Sequence, residues 1–121
     1  MANKKIVYIE DNPANLRFMQ KVLQGRKDVE LHCAEDALLG IDIVRRERPG
    51  LVLMDIQMPG MDGYEAFSVL QEDAATKSIP VVAVSANAMD SDIKHAYKLG
   101  FSGYLTKPID IQLLFDTIDK F

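Results

Sequence analysis

The 121-residue sequence has no tryptophan, only one cysteine and no apolar run long enough to cross a membrane as a helix. The single cysteine, Cys33, excludes an internal disulfide and fits a reducing compartment. Acidic residues outnumber basic ones, and a formal net charge of −4 argues against nucleic-acid binding through a basic surface. The N-terminal apolar run is too short for a signal peptide. We therefore expect one cytoplasmic globular domain over residues 1–121, with no membrane partner and no direct nucleic-acid partner.

Short β-rich runs alternate with segments of helical periodicity along the chain. Strands are predicted over residues 5–10, 29–34, 51–55, 80–85 and 102–106. Helices are predicted over about residues 13–24, 36–47, 63–73, 88–99 and 110–120. In the last helix, an apolar stripe at i, i+3, i+4 and i+7 is expected to be buried: Ile111, Leu114, Phe115 and Ile118. Five strand–helix repeats predict a doubly wound α/β domain, in which a five-stranded parallel sheet carries helices on both faces.

Ionisable and hydroxyl side chains follow four of the predicted strands. In order along the chain they are Glu10 with Asp11, then Asp55, Ser85 and Lys107. Ligands of open α/β sheets bind outside the carboxyl ends of the strands, so these side chains are expected to meet at one edge. Each residue alone has an ordinary explanation, because strand ends often carry helix caps, turn residues or solvent-exposed lysines. Their joint placement is what indicates chemistry.

The residue types in this group favour one kind of reaction. Three neighbouring carboxylates repel one another, and a hard divalent cation such as Mg²⁺ relieves that repulsion. A carboxylate that remains free can act as a covalent nucleophile. The cation, a lysine and a serine hydroxyl would together neutralise the oxygens of a phosphoryl group during transfer. The strand ends therefore favour magnesium-dependent phosphoryl transfer to an aspartate.

Four segments, YIEDN, LVLMDIQMPGMDGYEA, VVAVSANA and GYLTKPID, cover these strand ends. In their order and spacing they resemble the response-regulator receiver domains of two-component and phosphorelay signalling. The resemblance implies the flavodoxin-like strand order 2-1-3-4-5. It also implies a signalling domain that promotes its own Mg²⁺-dependent phosphotransfer and dephosphorylation, and not a conventional enzyme.

Carried over residue by residue, the resemblance assigns roles to particular side chains. Asp55 would be the phosphoacceptor, and Lys107 would hold the phosphoryl group next to a cis Lys107–Pro108 bond. The catalytic residues would be Asp55, Lys107 and Ser85. Magnesium would be bound directly by Asp11 and Asp55, through water by Glu10 and by the backbone carbonyl of Gln57. Ser85 and Tyr104 would form the switch pair. The switch would act on the surface of the fourth helix, fifth strand and fifth helix. Glu10 departs from the family pattern, where Asp is frequent.

The resemblance also implies a phosphodonor, which would be a histidine kinase or a histidine phosphotransfer domain. On the first helix, Phe18 points away from the face expected to meet the sheet, about 160° from Leu16 at 3.6 residues per turn. Receivers typically meet such partners with this helix, so a stripe of Asn15, Phe18 and Val22 is predicted to dock the phosphodonor. A downstream effector protein is a further expected partner.

Other functions fit the same residues less well. A flavodoxin-like flavin site would need a phosphate-binding loop after the first strand, where the acids of EDNPAN would repel phosphate. A magnesium phosphatase with an aspartate nucleophile would carry a second Asp at the position of Gln57. The main alternative is a receiver-like interaction module without phosphorylation, which would be expected to lose one of these acids or Lys107. Both a stand-alone receiver and a receiver within a hybrid kinase remain open.

Overall fold

The computed structural model describes residues 3–121 and contains five strands and five helices. The strands are β1 (Lys4–Ile9), β2 (Val29–Ala34), β3 (Leu51–Asp55), β4 (Val81–Ser85) and β5 (Gly103–Thr106). The helices are α1 (Pro13–Gln24), α2 (Ala37–Glu47), α3 (Gly63–Glu72), α4 (Asp90–Leu99) and α5 (Ile111–Lys120). The predicted alternation of strand and helix is confirmed over its whole length.

All strands are parallel, and their order is β2-β1-β3-β4-β5, which confirms the predicted fold class. Each face of the sheet has its own apolar core. Residues of α1 and α5, such as Met19 and Leu114, pack on one face together with Leu53 of β3. Residues of α2, α3 and α4 pack on the other face, where Phe67 stacks on Phe101 with ring centroids 4.1 Å apart. Strand residues alternate between the two cores, as the period of two requires.

Polar side chains cap the helices close to the predicted boundaries. The Asn12 side chain accepts a hydrogen bond from the Ala14 amide at 2.8 Å and begins α1. Asp36 and Asp110, predicted as the first residues of α2 and α5, lie just outside these helices as N-caps. Gly100 ends α4 with a φ of 116°, a left-handed conformation that favours glycine. The α4 start at residue 88 was wrong by two residues, because the helix begins at Asp90 after the extended Met89.

The predicted stripe of α5 is confirmed for three of its four members. Leu114 and Ile118 are fully buried, and Phe115 packs against the same core. Ile111 does not belong to the stripe, since 45% of its surface is exposed in the first turn. Ile109, two residues earlier, packs against this core at that end of the helix. Leu113 lies off the stripe and is 55% exposed.

A close backbone approach fixes the loop after β3. The Gly63 amide donates a hydrogen bond to the Ile56 carbonyl at 2.9 Å as α3 begins. A Cβ atom on Gly63 would lie 2.5 Å from the Asp55 carbonyl oxygen, closer than real Cβ contacts allow. Glycine at this position therefore lets the chain turn back tightly against Asp55.

Candidate functional site

Three carboxylates meet at the carboxyl edge of the sheet. Glu10, Asp11 and Asp55 offer oxygen atoms that all lie within 4.8 Å of one another. We call these residues the acidic cluster. Glu10 and Asp55 are 0% and 1% exposed, whereas Asp11 is partly exposed. They meet because β1 and β3 are adjacent parallel strands that end at the same edge.

The Lys107 side chain reaches the acidic cluster from the loop after β5. Its Nζ lies 2.8 Å from Glu10 Oε1 and 3.2 Å from Asp55 Oδ1. The Lys107–Pro108 bond is cis, as the resemblance implied. Burial disfavours the ammonium charge, but Glu10 and Asp55 outweigh burial and raise the pKa of Lys107. Lys107 is therefore a cation held between two buried carboxylates.

The Glu10 carboxylate also accepts hydrogen bonds from β1 and α1. Oε1 accepts from the Tyr8 hydroxyl at 3.1 Å and from Asn15 Nδ2 at 2.9 Å. Oε2 accepts from the Asn12 backbone amide at 3.2 Å. Burial opposes the charge of Glu10, yet its contacts with Asp55, with Lys107 and with the Asn12 amide lower its pKa. Glu10 is thus a carboxylate stabilised in its ionised form.

Sequence reasoning missed Tyr8 and the inward contact of Asn15. Tyr8 lies inside an apolar strand segment, where it looks like an ordinary core residue. The available signal was the strand period of two, which places Tyr8 and Glu10 on the same face of the sheet. The Asn15 side chain, predicted for partner docking, turns toward Glu10.

Asp55, unlike Glu10, has a carboxylate oxygen without a hydrogen bond. Among the buried side-chain atoms of residues 3–121, Asp55 Oδ1 stands out because no hydrogen bond reaches it. Lys107 Nζ approaches it as an ion pair without the direction of a hydrogen bond. Burial raises the pKa of Asp55, the neighbouring Glu10 raises it further, and Lys107 offsets only part of this effect. A cation at Asp55 Oδ1 would give this oxygen a partner and would reduce the repulsion between Asp55 and Glu10.

The predicted switch residues are connected through the β4–α4 loop. Ser85 is fully buried, and its hydroxyl donates to Gln57 Oε1 at 3.1 Å and accepts from the Asn87 amide at 3.0 Å. The Tyr104 hydroxyl donates to the Asn87 carbonyl at 2.7 Å. Asn87 therefore contacts both members of the predicted pair. The Gln57 side chain is engaged with Ser85, while its backbone carbonyl is the predicted magnesium ligand.

Phe18 lies at the rim of a cavity beside Lys107. Its exposed fraction is 40%, whereas Val22 of the predicted docking stripe packs partly against the core. The cavity has a volume of about 250 Å³ and is lined by Tyr8, Asn15, Phe18, Lys107, Pro108 and Ile109. An exposed aromatic ring and an apolar depression thus lie next to the lysine of the site.

A second group of possible metal ligands lies on β2 and α2. Glu30 and His32 share one face of the edge strand and meet Glu47. Lys5 and Arg46 form ion pairs with Glu47 at 3.3 and 3.0 Å. These cations already balance the acids, so we interpret the group as a surface ion-pair network.

Comparison with known proteins agrees with this geometry. A family model described as response regulator receiver domain matches residues 6–119. The chain is 32% identical over 118 residues to the polar-differentiation response regulator DivK of Brucella anthropi, covering 98% of this chain and 95% of DivK. It is 35% identical over 115 residues to the protein PilH of Pseudomonas aeruginosa, covering 95% and 94% of the two chains.

A solved structure gives the same result in three dimensions. The receiver domain of the sensor histidine kinase PA1611 from Pseudomonas aeruginosa, with magnesium coordinated in its active-site cleft, superimposes with a TM-score of 0.87. The sequences are 26% identical, and the match covers 98% of this chain and 97% of the other.

Within residues 3–121, no helix is long and apolar enough to cross a membrane.

The buried Asp55 carboxylate predicts an unusual dependence of stability on pH. Because its pKa is raised in the folded state, the folded protein holds a proton that the unfolded chain has already released. Without divalent cations, the free energy of unfolding should fall by on the order of 1 to 3 kcal/mol between about pH 5 and about pH 8. The lowered pKa of Glu10 acts only at more acidic pH and does not reverse this slope.

Urea denaturation at several pH values in a chelator measures this effect. Asp55→Asn should remove most of the fall, and saturating Mg²⁺ should raise wild-type stability at the higher pH without a comparable effect on Asp55→Asn. Equal pH slopes for wild type and Asp55→Asn would show that Asp55 is not the group responsible.

Proposed function

This chain belongs to the family of response regulator receiver domains, and on that premise we propose that Asp55 accepts a phosphoryl group from a phosphohistidine partner. The observation that carries the assignment is the buried Asp55 Oδ1, which has no hydrogen bond and lies 3.2 Å from Lys107 Nζ. Receiver domains are signalling domains that receive phosphate from histidine kinases. With this assignment, the reacting carboxylate of Asp55 lies next to the ammonium group of Lys107.

The transfer requires one bond to form and one to break. A carboxylate oxygen of Asp55 forms the new P–O bond, while the P–N bond of the donor's phosphohistidine breaks. The imidazole nitrogen keeps the electron pair of that bond. Lys107 would hold one phosphoryl oxygen, and the Ser85 hydroxyl would donate to another after leaving Gln57. Hydrolysis of the acyl phosphate would return the carboxylate.

Members of this family commonly bind Mg²⁺, and the acidic cluster suits the same ion. Its donors are all oxygen atoms, as magnesium prefers, and Asp55 Oδ1 lacks a partner. We propose that Asp11, Asp55 and the Gln57 carbonyl hold the ion, with Glu10 linked through water. When bound, Mg²⁺ would neutralise charge on the acids and on the phosphoryl group.

Phosphorylation is proposed to act through Ser85 and Tyr104. Drawing the Ser85 hydroxyl toward the phosphoryl group would break its bond to Gln57 and free space beside Tyr104. Tyr104, which already packs against the core of α2, α3 and α4, would then lose its bond to the Asn87 carbonyl and turn further inward. Such a difference in contacts is what shifts a two-state equilibrium. The surface of α4, β5 and α5, where Leu113 is exposed, would carry the change to an effector.

The same proposal covers the setting of the domain. Residues 1–121 would act as one receiver unit in the cytoplasm, which fits an unpaired Cys33. A module that binds proteins without being phosphorylated is not favoured, because the chain retains the whole acidic cluster and Lys107 in contact.

The first prediction from this proposal concerns the phosphoacceptor. With Mg²⁺ and acetyl phosphate, intact-mass spectrometry should show the gain of one phosphoryl group, which hydroxylamine removes. Asp55→Asn should gain none, and a chelator should stop labelling because the acids would repel the donor's oxygens. Asp116→Asn, which changes an exposed carboxylate on α5, should be labelled like wild type. Stoichiometric labelling of Asp55→Asn would refute the assignment.

A second prediction concerns the switch. Beryllofluoride, which mimics a phosphoryl group on the aspartate, should shift backbone NMR signals of α4, β5 and α5 beyond those of the loops at Asp55. Ser85→Ala should still bind beryllofluoride but shift the Tyr104 signals less, because the hydroxyl that must move is absent. Changes confined to the loops around Asp55 in wild type would contradict the switch.

The third prediction concerns docking. Phe18→Ala should slow transfer from a histidine phosphotransfer domain that phosphorylates wild type by about tenfold, a typical loss for an interface aromatic. Labelling by acetyl phosphate should change less than about twofold, because the small donor needs no docking surface. Leu38→Ala is the matched control, since Leu38 is 66% exposed on α2, across the sheet from α1. Equal losses with both donors would assign Phe18 to the folded core, and no loss with either would place docking elsewhere.

A further inference from the structure

Resting on the proposed function, we infer that Tyr8 and Asn15 are positioning residues that fix Glu10 against Lys107. In this arrangement Glu10 serves phosphotransfer by holding the lysine, and the magnesium ion is left to Asp11 and Asp55. The inference assigns a role to a buried tyrosine hydroxyl and to an amide, neither of which touches the reacting oxygen.

The position of Tyr8 follows from the strand it occupies. Tyr8 is fully buried in the α1 and α5 core, where it pairs in register with Cys33 of β2 and Leu53 of β3. Its ring therefore has apolar surroundings, and its hydroxyl meets the Glu10 carboxylate two residues later on the same face. Burial and the Glu10 charge raise the pKa of Tyr8, so the hydroxyl stays a donor. Phenylalanine would fill the same space without that donor.

The hydrogen bonds of Glu10 leave it little capacity for a metal ion. Two hydrogen-bond donors reach Oε1, Asn15 Nδ2 at 2.9 Å and the Tyr8 hydroxyl at 3.1 Å. Lys107 Nζ lies 2.8 Å from the same oxygen as an ion pair. The Asn12 amide occupies Oε2 at 3.2 Å. A carboxylate offers about four lone-pair positions, two on each oxygen, so these hydrogen bonds leave one position, on Oε2, for direct ligation.

Asp55 and Asp11 have oxygen atoms that are more available to a metal ion than those of Glu10. Its Oδ1 has no hydrogen bond, and Asp11 is the member of the acidic cluster that is partly open to solvent. Asp11 and Asp55 therefore offer a metal ion more open oxygen positions than Glu10 does.

Tyr8→Phe tests the inference with the smallest change of structure. Acetyl phosphate labelling of Asp55 should slow about threefold to tenfold, because Glu10 and Lys107 lose one of their fixed contacts. Glu10→Gln should slow labelling more. In the Glu10→Gln background, adding Tyr8→Phe should have no further effect, since Tyr8 acts through Glu10. Tyr64→Phe is the matched control and should label at the wild-type rate, because Tyr64 packs edge-on against Phe101 on the other face of the sheet.

Two measurements that do not depend on labelling complete the test. In the metal-free protein, the NMR signal of the Lys107 ammonium should shift and broaden in Tyr8→Phe, but not in Tyr64→Phe. The Mg²⁺ dissociation constant, measured by chemical-shift titration, should change less than about twofold in Tyr8→Phe. Asn15→Ala should follow Tyr8→Phe in all three assays.

The outcomes separate this inference from the proposed function. If wild type is not labelled on Asp55, the proposed function fails. If wild type is labelled and Tyr8→Phe matches Tyr64→Phe in rate and in the Lys107 signal, only the positioning role fails. A loss of Mg²⁺ affinity of more than about twofold in Tyr8→Phe, which keeps the charge of Glu10, would tie the Tyr8 contact to the metal ion and overturn the inference. Additive effects of Tyr8→Phe and Glu10→Gln would also overturn it, because Tyr8 would then act independently of Glu10.

Discussion

The site depends on one electrostatic contact, that of the Lys107 ammonium with the buried carboxylates of Glu10 and Asp55. In a poorly hydrated site such charges interact more strongly than in water, and burying either sign alone would be costly. The three residues are far apart in the sequence, so the contact exists only when β1, β3 and the loop after β5 end at one edge. The parallel sheet is thus required to bring these three side chains together.

Two chemically similar carboxylates acquire different properties through their hydrogen bonds. Glu10 accepts hydrogen bonds from Tyr8 and Asn15 and forms an ion pair with Lys107. Contacts with Asp55, Lys107 and the Asn12 amide lower its pKa despite complete burial. Asp55 has an oxygen without a hydrogen bond, and burial together with the Glu10 charge raises its pKa against the opposing effect of Lys107. A fully bonded carboxylate is suited to hold other groups in place. An incompletely bonded one retains an oxygen that can bind a cation or attack phosphorus.

The sequence was sufficient for the fold and for the groups at the strand ends. Strand and helix periodicities follow from which side chains are buried, and the residues after each strand meet because parallel strands share one edge. Boundaries moved by a residue or two, in part because capping residues such as Asp36 and Asp110 look like the first residues of a helix. Ile111 was misassigned because helical spacing does not say where a helix leaves the core. Tyr8 escaped notice because side-chain contacts across a buried strand depend on packing that spacing alone does not specify.

The alternation of residues along the strands separates two tasks in space. Tyr8 packs with Leu53 on the face of α1 and α5, whereas Tyr104 packs against the core on the other face. The single β-sheet therefore lies between Phe18, where the phosphodonor is proposed to dock, and Tyr104, which is proposed to move on phosphorylation. Related chains can consequently alter the α1 residues that choose a phosphodonor without disturbing the packing of Tyr104 on the other face. Donor choice and the movement of this tyrosine could therefore change one at a time.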